Sequence, residues 1–79
     1  MDHIMISYNL HRIRKDKKMS QEKIAEIAGI SRIAYKNIES GISIPRVSSL
    51  MKLASALNVK LEDFLAPARV LKHVRRRLK

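Results

Sequence analysis

The sequence predicts an all-α fold, a compact bundle of five short helices with room for a sixth at the C-terminal end. Three observations carry this expectation. Two glycines and two prolines in 79 residues leave little material for hairpin turns. Apolar residues recur at three- and four-residue intervals instead of alternating. The 46% hydrophobic content includes only three aromatics, Tyr8, Tyr35 and Phe64, so the core is aliphatic. The length admits a single domain, and a domain this small buries a modest fraction of its surface.

Residues 4–18 read as the first helix. Ile6, Leu10 and Ile13 share one face, and Lys17 continues it with a long stem suited to covering the edge of a core. His11, Arg12, Lys15 and Lys18 form the polar face, and Asp2 is placed to cap the N-terminus. Ser20 starts the second helix, its hydroxyl within reach of the Lys23 N–H. Ile24, Ala25 and Ala28 mark its buried face over about two turns. Gly29 stops it, because a left-handed residue costs glycine little. Ser31 is the next cap. Ala34, Tyr35 and Ile38 give the third helix its buried stripe, leaving Arg32, Ile33, Lys36 and Asn37 on the opposite face, and Ser40-Gly41 ends it. In the loop over residues 42–46, Pro45 biases Ile44 towards extended backbone. Val47, Leu50, Met51, Ala54 and Leu57 define a fourth helix over residues 47–57, with Asn58 as a left-handed stop. Residues 61–65 make a short fifth helix whose Phe64 and Leu65 plug the core. Glu62 and Asp63 suit its electropositive first turn. Pro67 then breaks the chain.

Composition narrows the chemistry. There is no cysteine, hence no disulfide and no thiolate metal site. His3, His11 and His73 lack ligand-like spacing, so no metal is expected. No phosphate loop, nucleophile elbow or acidic cluster with a partner is present, and the chain reads as neither an enzyme nor a cofactor or small-molecule binder. No apolar run is long enough to span a bilayer, and the N-terminus lacks the pattern of a signal peptide. The cytoplasm is therefore the expected compartment. The net charge of +10 attracts polyanions, nucleic acid before anionic membrane. Six bases and no acid fall within residues 66–79 (Arg69, Lys72, Arg75, Arg76, Arg77 and Lys79), while residues 1–65 hold eleven bases against seven acids, a net of +4. Bulk charge alone therefore does not identify a partner.

The informative segment is residues 20–41: a helix, a turn containing glycine, and a second helix. A helix about 10–12 Å across fits the major groove of DNA, about 12 Å wide, and a small residue, Ala25, lets the two helices pack closely at a steep angle. Leu10, Ile13-Arg14, Met19-Ser20-Gln21-Glu22, Ile24-Ala25, Ala28-Gly29-Ile30-Ser31, Ile38-Glu39-Ser40-Gly41, Pro45, Leu50, Leu53-Ala54, Ala56-Leu57 and Val59 occur in order and at fitting separations. In these residues the chain resembles the Cro and phage-repressor (Xre-type) helix-turn-helix family over about three quarters of its length.

The resemblance implies a five-helix repressor-like DNA-binding domain over residues 1–66, followed by a basic tail over residues 67–79. It implies a second helix crossing the DNA backbone and a third that reads bases. Arg32, Ile33 and Asn37 would face base edges, with Lys36 near them or against a phosphate. Ser20, Gln21, Ser31, Tyr35, Ser40, Ser43 and Arg46 would contact phosphates, and Arg14 would pair with Glu39 inside the domain. The side chains suit these roles: Arg32 can contact guanine in a bidentate manner, Asn37 can pair with adenine, and Ile33 can touch a thymine methyl. Arg46 and Lys60 stand where a Ser or Asp cap usually precedes the fourth and fifth helices. Tyr35 fills a site that is usually a branched aliphatic; its ring can pack while its hydroxyl reaches a phosphate.

The function expected from the resemblance is a sequence-specific transcriptional regulator, a repressor, binding double-stranded DNA as a homodimer. The alternative is a protein–protein adaptor or antitoxin-type module on the same fold. The tail has Val70, Leu71, Val74 and Leu78 at helical spacing. A sixth helix in a dimer is preferred there over docking on the same chain, a disordered basic arm, or entry into a longer protein. Attachment to an acidic membrane carries little weight, because that stripe is narrow.

Overall fold

A computed structural model describes residues 3–66. The expected cap at Asp2 and the expected tail helix over residues 67–79 lie outside them. Five helices follow in order: α1 (His3–Asp16), α2 (Gln21–Ala28), α3 (Arg32–Glu39), α4 (Val47–Leu57) and α5 (Glu62–Leu65), with no strand among the described residues. Helix α1 packs against α3 and α5, and α2 packs against α3 and α4. The core between them is formed by Ile6, Leu10, Ile24, Tyr35, Leu50, Leu53, Leu57 and Phe64, with smaller contributions from Ala25, Ala28 and Ala54.

Local capping sets most of the boundaries. Ser20 and Ser31 are extended N-caps whose hydroxyls accept the N–H of Lys23 and Ala34, each at 3.0 Å. Four turns then end in the same way. Lys18, Gly29, Gly41 and Asn58 have φ of 57°, 75°, 81° and 56°. In each case the next N–H reaches back five residues, as in Met19 to Arg14, Ile30 to Ala25, Ile42 to Asn37 and Val59 to Ala54. This is the Schellman arrangement, which satisfies carbonyls left over at a helix end. Lys18 was not expected in that role, and it shortens α1 to Asp16. Lys17 is consequently exposed and does not cover the core.

Two other stripes need correction. Ala34 is exposed, and the buried face of α3 is completed instead by Glu39. On α4 the buried residues are Leu50, Leu53, Ala54 and Leu57, while Val47 and Met51 are exposed. Met51 follows Leu50 by about 100° of helical rotation, which carries it past the edge of the stripe. Leu65 is half-buried beside a fully buried Phe64. Neither Arg46 nor Leu61, the residues before α4 and α5, makes a side-chain cap, but Asp63 accepts the backbone N–H of Lys60 at 3.0 Å.

Asn9 was not expected in the core. Its Nδ2 donates to the carbonyls of Phe64 and Ala66, each at 2.7 Å, tying the middle of α1 to the end of α5.

Candidate nucleic-acid interface

Helix α3 is held from behind by a carboxylate. Glu39 sits in its last turn with a side chain only 6% exposed. Its Oε1 accepts from Arg14 Nε at 2.7 Å and from the Tyr35 hydroxyl at 2.6 Å. Its Oε2 accepts from Arg14 Nη2 at 3.1 Å and from Gln21 Nε2 at 2.8 Å, and it lies 3.0 Å from His11 Nδ1. Arg14 also donates from Nη1 to the carbonyl of Met19 at 2.6 Å, and Ser7 Oγ donates to the backbone carbonyl of Glu39. One anion thus ties α1, α2 and α3 together.

The balance of burial and donors decides the charge states. Burial pushes the Glu39 carboxyl upward, but hydrogen bonds from Arg14, His11, Tyr35 and Gln21 outweigh it and hold the group down at about 2. The hydrogen bond to Glu39 raises Arg14 against the desolvation of its own charge. Burial raises the Tyr35 hydroxyl first, and the adjacent carboxylate raises it further. Glu39 and Arg14 are therefore both charged near neutral pH.

The opposite face of α3 is open. Arg32, Ile33 and Lys36 are exposed and Asn37 is half-exposed, so the four expected base-reading residues stand on one side of a braced helix. Of the residues expected along a phosphate backbone, Ser20, Ser31, Ser40 and Arg46 are exposed and Ser43 is half-buried. The Ser20 and Ser31 hydroxyls accept as caps, which leaves each O–H free to donate. Ser40 Oγ donates to the Asn37 carbonyl at 3.3 Å.

Tyr35 departs from this group. The residue is 0% exposed and its hydroxyl is spent on Glu39, so it does not reach a phosphate. Gln21 is half-buried with one amide hydrogen on Glu39, leaving the other for a ligand. Sequence reasoning missed Tyr35, His11 and Gln21 as partners of Glu39. The spacing of Tyr35 and Glu39, four apart on one helix, was a usable signal for the first; nothing local marks the other two. It also missed Glu22, whose Oε2 lies 3.5 Å from Arg32 Nη1.

No group of three or more potential metal ligands occurs among the described residues. No described helix is long and apolar enough to cross a membrane. A shallow cleft of about 430 Å³, lined by Ile27, Met51 and Lys52 among others, contains no residue of α3.

The sequence profile of the helix-turn-helix family HTH_3 matches residues 10–64. The HTH-type transcriptional regulator YqaE of Bacillus subtilis (strain 168) is 38% identical over 61 residues, 77% of this chain and 53% of that protein. The HTH-type transcriptional regulator SutR of Escherichia coli (strain K12) is 34% identical over 62 residues, 78% of this chain and 35% of its own length. The chain thus matches about half or less of these relatives. The restriction-modification controller protein C.AhdI from Aeromonas hydrophila superposes with a TM-score of 0.77 at 27% identity, over 80% of this chain and 96% of its own.

Proposed function

Since this chain belongs to the helix-turn-helix family HTH_3, we propose that it is a sequence-specific regulator of transcription, a repressor, that reads an operator in double-stranded DNA with α3. The observation that carries the reading is the two-sidedness of that helix. Tyr35, Ile38 and Glu39 anchor one side in the core, and Arg32, Ile33, Lys36 and Asn37 are left to solvent on the other. A braced helix of this diameter enters the major groove without reorganising, so little ordering cost is incurred on binding.

Arg32 contacts guanine, Asn37 contacts adenine, Ile33 meets a thymine methyl, and Lys36 lies beside them. Ser20, Ser31, Ser40, Ser43 and Arg46 follow the phosphates, together with the second amide hydrogen of Gln21. Residues 1–66 form the reading unit, and the bases of residues 67–79 add sequence-independent attraction. Two copies act as a homodimer on half-sites about 34–36 Å apart, and a protein with this role works in the cytoplasm, where bacterial DNA is.

The test is selection of bound duplexes from a random pool, followed by affinity measurements across a salt series. The proposal expects a two-fold symmetric motif and an affinity that falls steeply with salt. Recovery of duplexes with no common motif would sink it and favour the adaptor role.

A further inference from the structure

The reading face carries an acid that the roles above do not use. Glu22, in the first turn of α2, sets its Oε2 3.5 Å from Nη1 of Arg32, the first residue of α3. The side chains are 77% and 63% exposed. In the free protein such a contact is screened by water and adds little to stability. Its position gives it a different significance. It spans the turn between the two helices of the motif, and one member is the cation that faces bases. The other acid on α2, Glu26, turns instead to Lys23 at 3.4 Å, and Glu39 is enclosed by its donors. Among the described residues of α2 and α3, Glu22 is therefore the acid that meets the reading face.

Two effects follow from the geometry. A guanidinium has five N–H donors in a rigid fork. With Nη1 turned to Glu22, the edge formed by Nε and Nη2 remains for a bidentate acceptor such as guanine O6 and N7. The carboxylate also enters a field of phosphates. On a non-cognate sequence Arg32 has no base partner and turns to a phosphate, leaving Glu22 unpaired among negative charges. On the cognate sequence Arg32 keeps both contacts, and exclusion of water strengthens them.

We propose that Glu22 is a positioning residue that makes the Arg32 base contact selective, lowering affinity for random DNA while supporting affinity for the operator. This rests on the reading of Arg32 as a base contact. Discrimination is a difference of affinities, and an element that repels the wrong partner contributes to it as directly as one that attracts the right one.

The experiment compares the full chain with its Glu22→Gln and Glu26→Gln variants, each of which removes one acid from α2. Binding is measured to a duplex selected by the wild-type protein, to that duplex altered at each base pair, and to random duplex, over a salt series. For Glu22→Gln, random-duplex affinity should rise about threefold or more and the operator-to-random ratio should fall about tenfold, within the usual range of one base-pair contact. The loss should concentrate at one base pair of each half-site. Glu26→Gln should shift all duplexes by a common factor. An unchanged ratio in Glu22→Gln, or the same ratio in both variants, overturns the proposal while leaving the DNA-reading function intact. A wild-type protein that selects no motif removes both.

Discussion

Replacing Glu39 by glutamine tests the bracing of α3 directly. The substitution keeps the shape but removes the charge, and it sets an N–H₂ group against donors from Arg14 and Gln21 or from Arg14 and Tyr35, whichever way the amide turns. Arg14 is left charged with its side chain only 9% exposed. The carboxyl is held at about 2 against an ordinary 4.5. At about 1.36 kcal/mol per unit, that difference contributes about 3 kcal/mol of stability at neutral pH. Removing one partner of a buried pair costs about 3–5 kcal/mol, in agreement with this figure. For a domain of this size, about 3 kcal/mol lowers Tm by at least roughly 10 °C. Thermal unfolding followed by far-UV circular dichroism reads this shift. Because the folded-state value is depressed, the wild-type contribution is complete above about pH 4.5 and is lost as pH falls towards about 2. The glutamine variant should lack that component, so the two stabilities converge on acidification. A variant melting within about 2 °C of wild type at pH 7, with the same acid dependence, would refute the reasoning.

Other substitutions separate stability from binding. Tyr35→Phe removes one donor from a buried carboxylate and should cost about 1.5–3 kcal/mol by urea denaturation, while the salt dependence of DNA binding stays as in wild type, because the hydroxyl never meets a phosphate. Lys18→Gly should raise stability by roughly 0.5–1 kcal/mol, since lysine there holds a left-handed φ of 57° that glycine adopts without a Cβ clash; a lower melting temperature would show that Lys18 contributes more than its backbone. Arg46→Ser supplies α4 with the side-chain cap it lacks, which is worth about 0.5–2 kcal/mol of added stability, yet should weaken binding to all duplexes and reduce the salt slope by about one phosphate contact.

What could be read from the chain was what neighbouring residues decide among themselves. Ser20 and Ser31 cap the helices they precede because a hydroxyl reaches an N–H three residues on. Gly29, Gly41 and Asn58 stop helices because they tolerate positive φ. Leu50, Ala54 and Leu57 lie on one face because the helical period puts them there. Lys18 shows the boundary of that reasoning: its side chain does not favour a left-handed turn, and it adopts one where α1 must end for Ser20 to begin α2.

The amino-acid sequence by itself therefore determined the five helices, most of the aliphatic core and the exposed set Arg32, Ile33 and Lys36 on α3, all consequences of order within a few residues. Only the folded arrangement decided that the Tyr35 hydroxyl is spent on Glu39, that Asn9 clasps the end of α5, and that His11 and Gln21 join Arg14 and Tyr35 on that carboxylate. Apart from Tyr35, those partners reach Glu39 from other helices, 18 to 28 residues away along the chain. A buried charge accepts whichever donors the packing brings within about 3 Å, and periodicity along one helix holds no record of its neighbours.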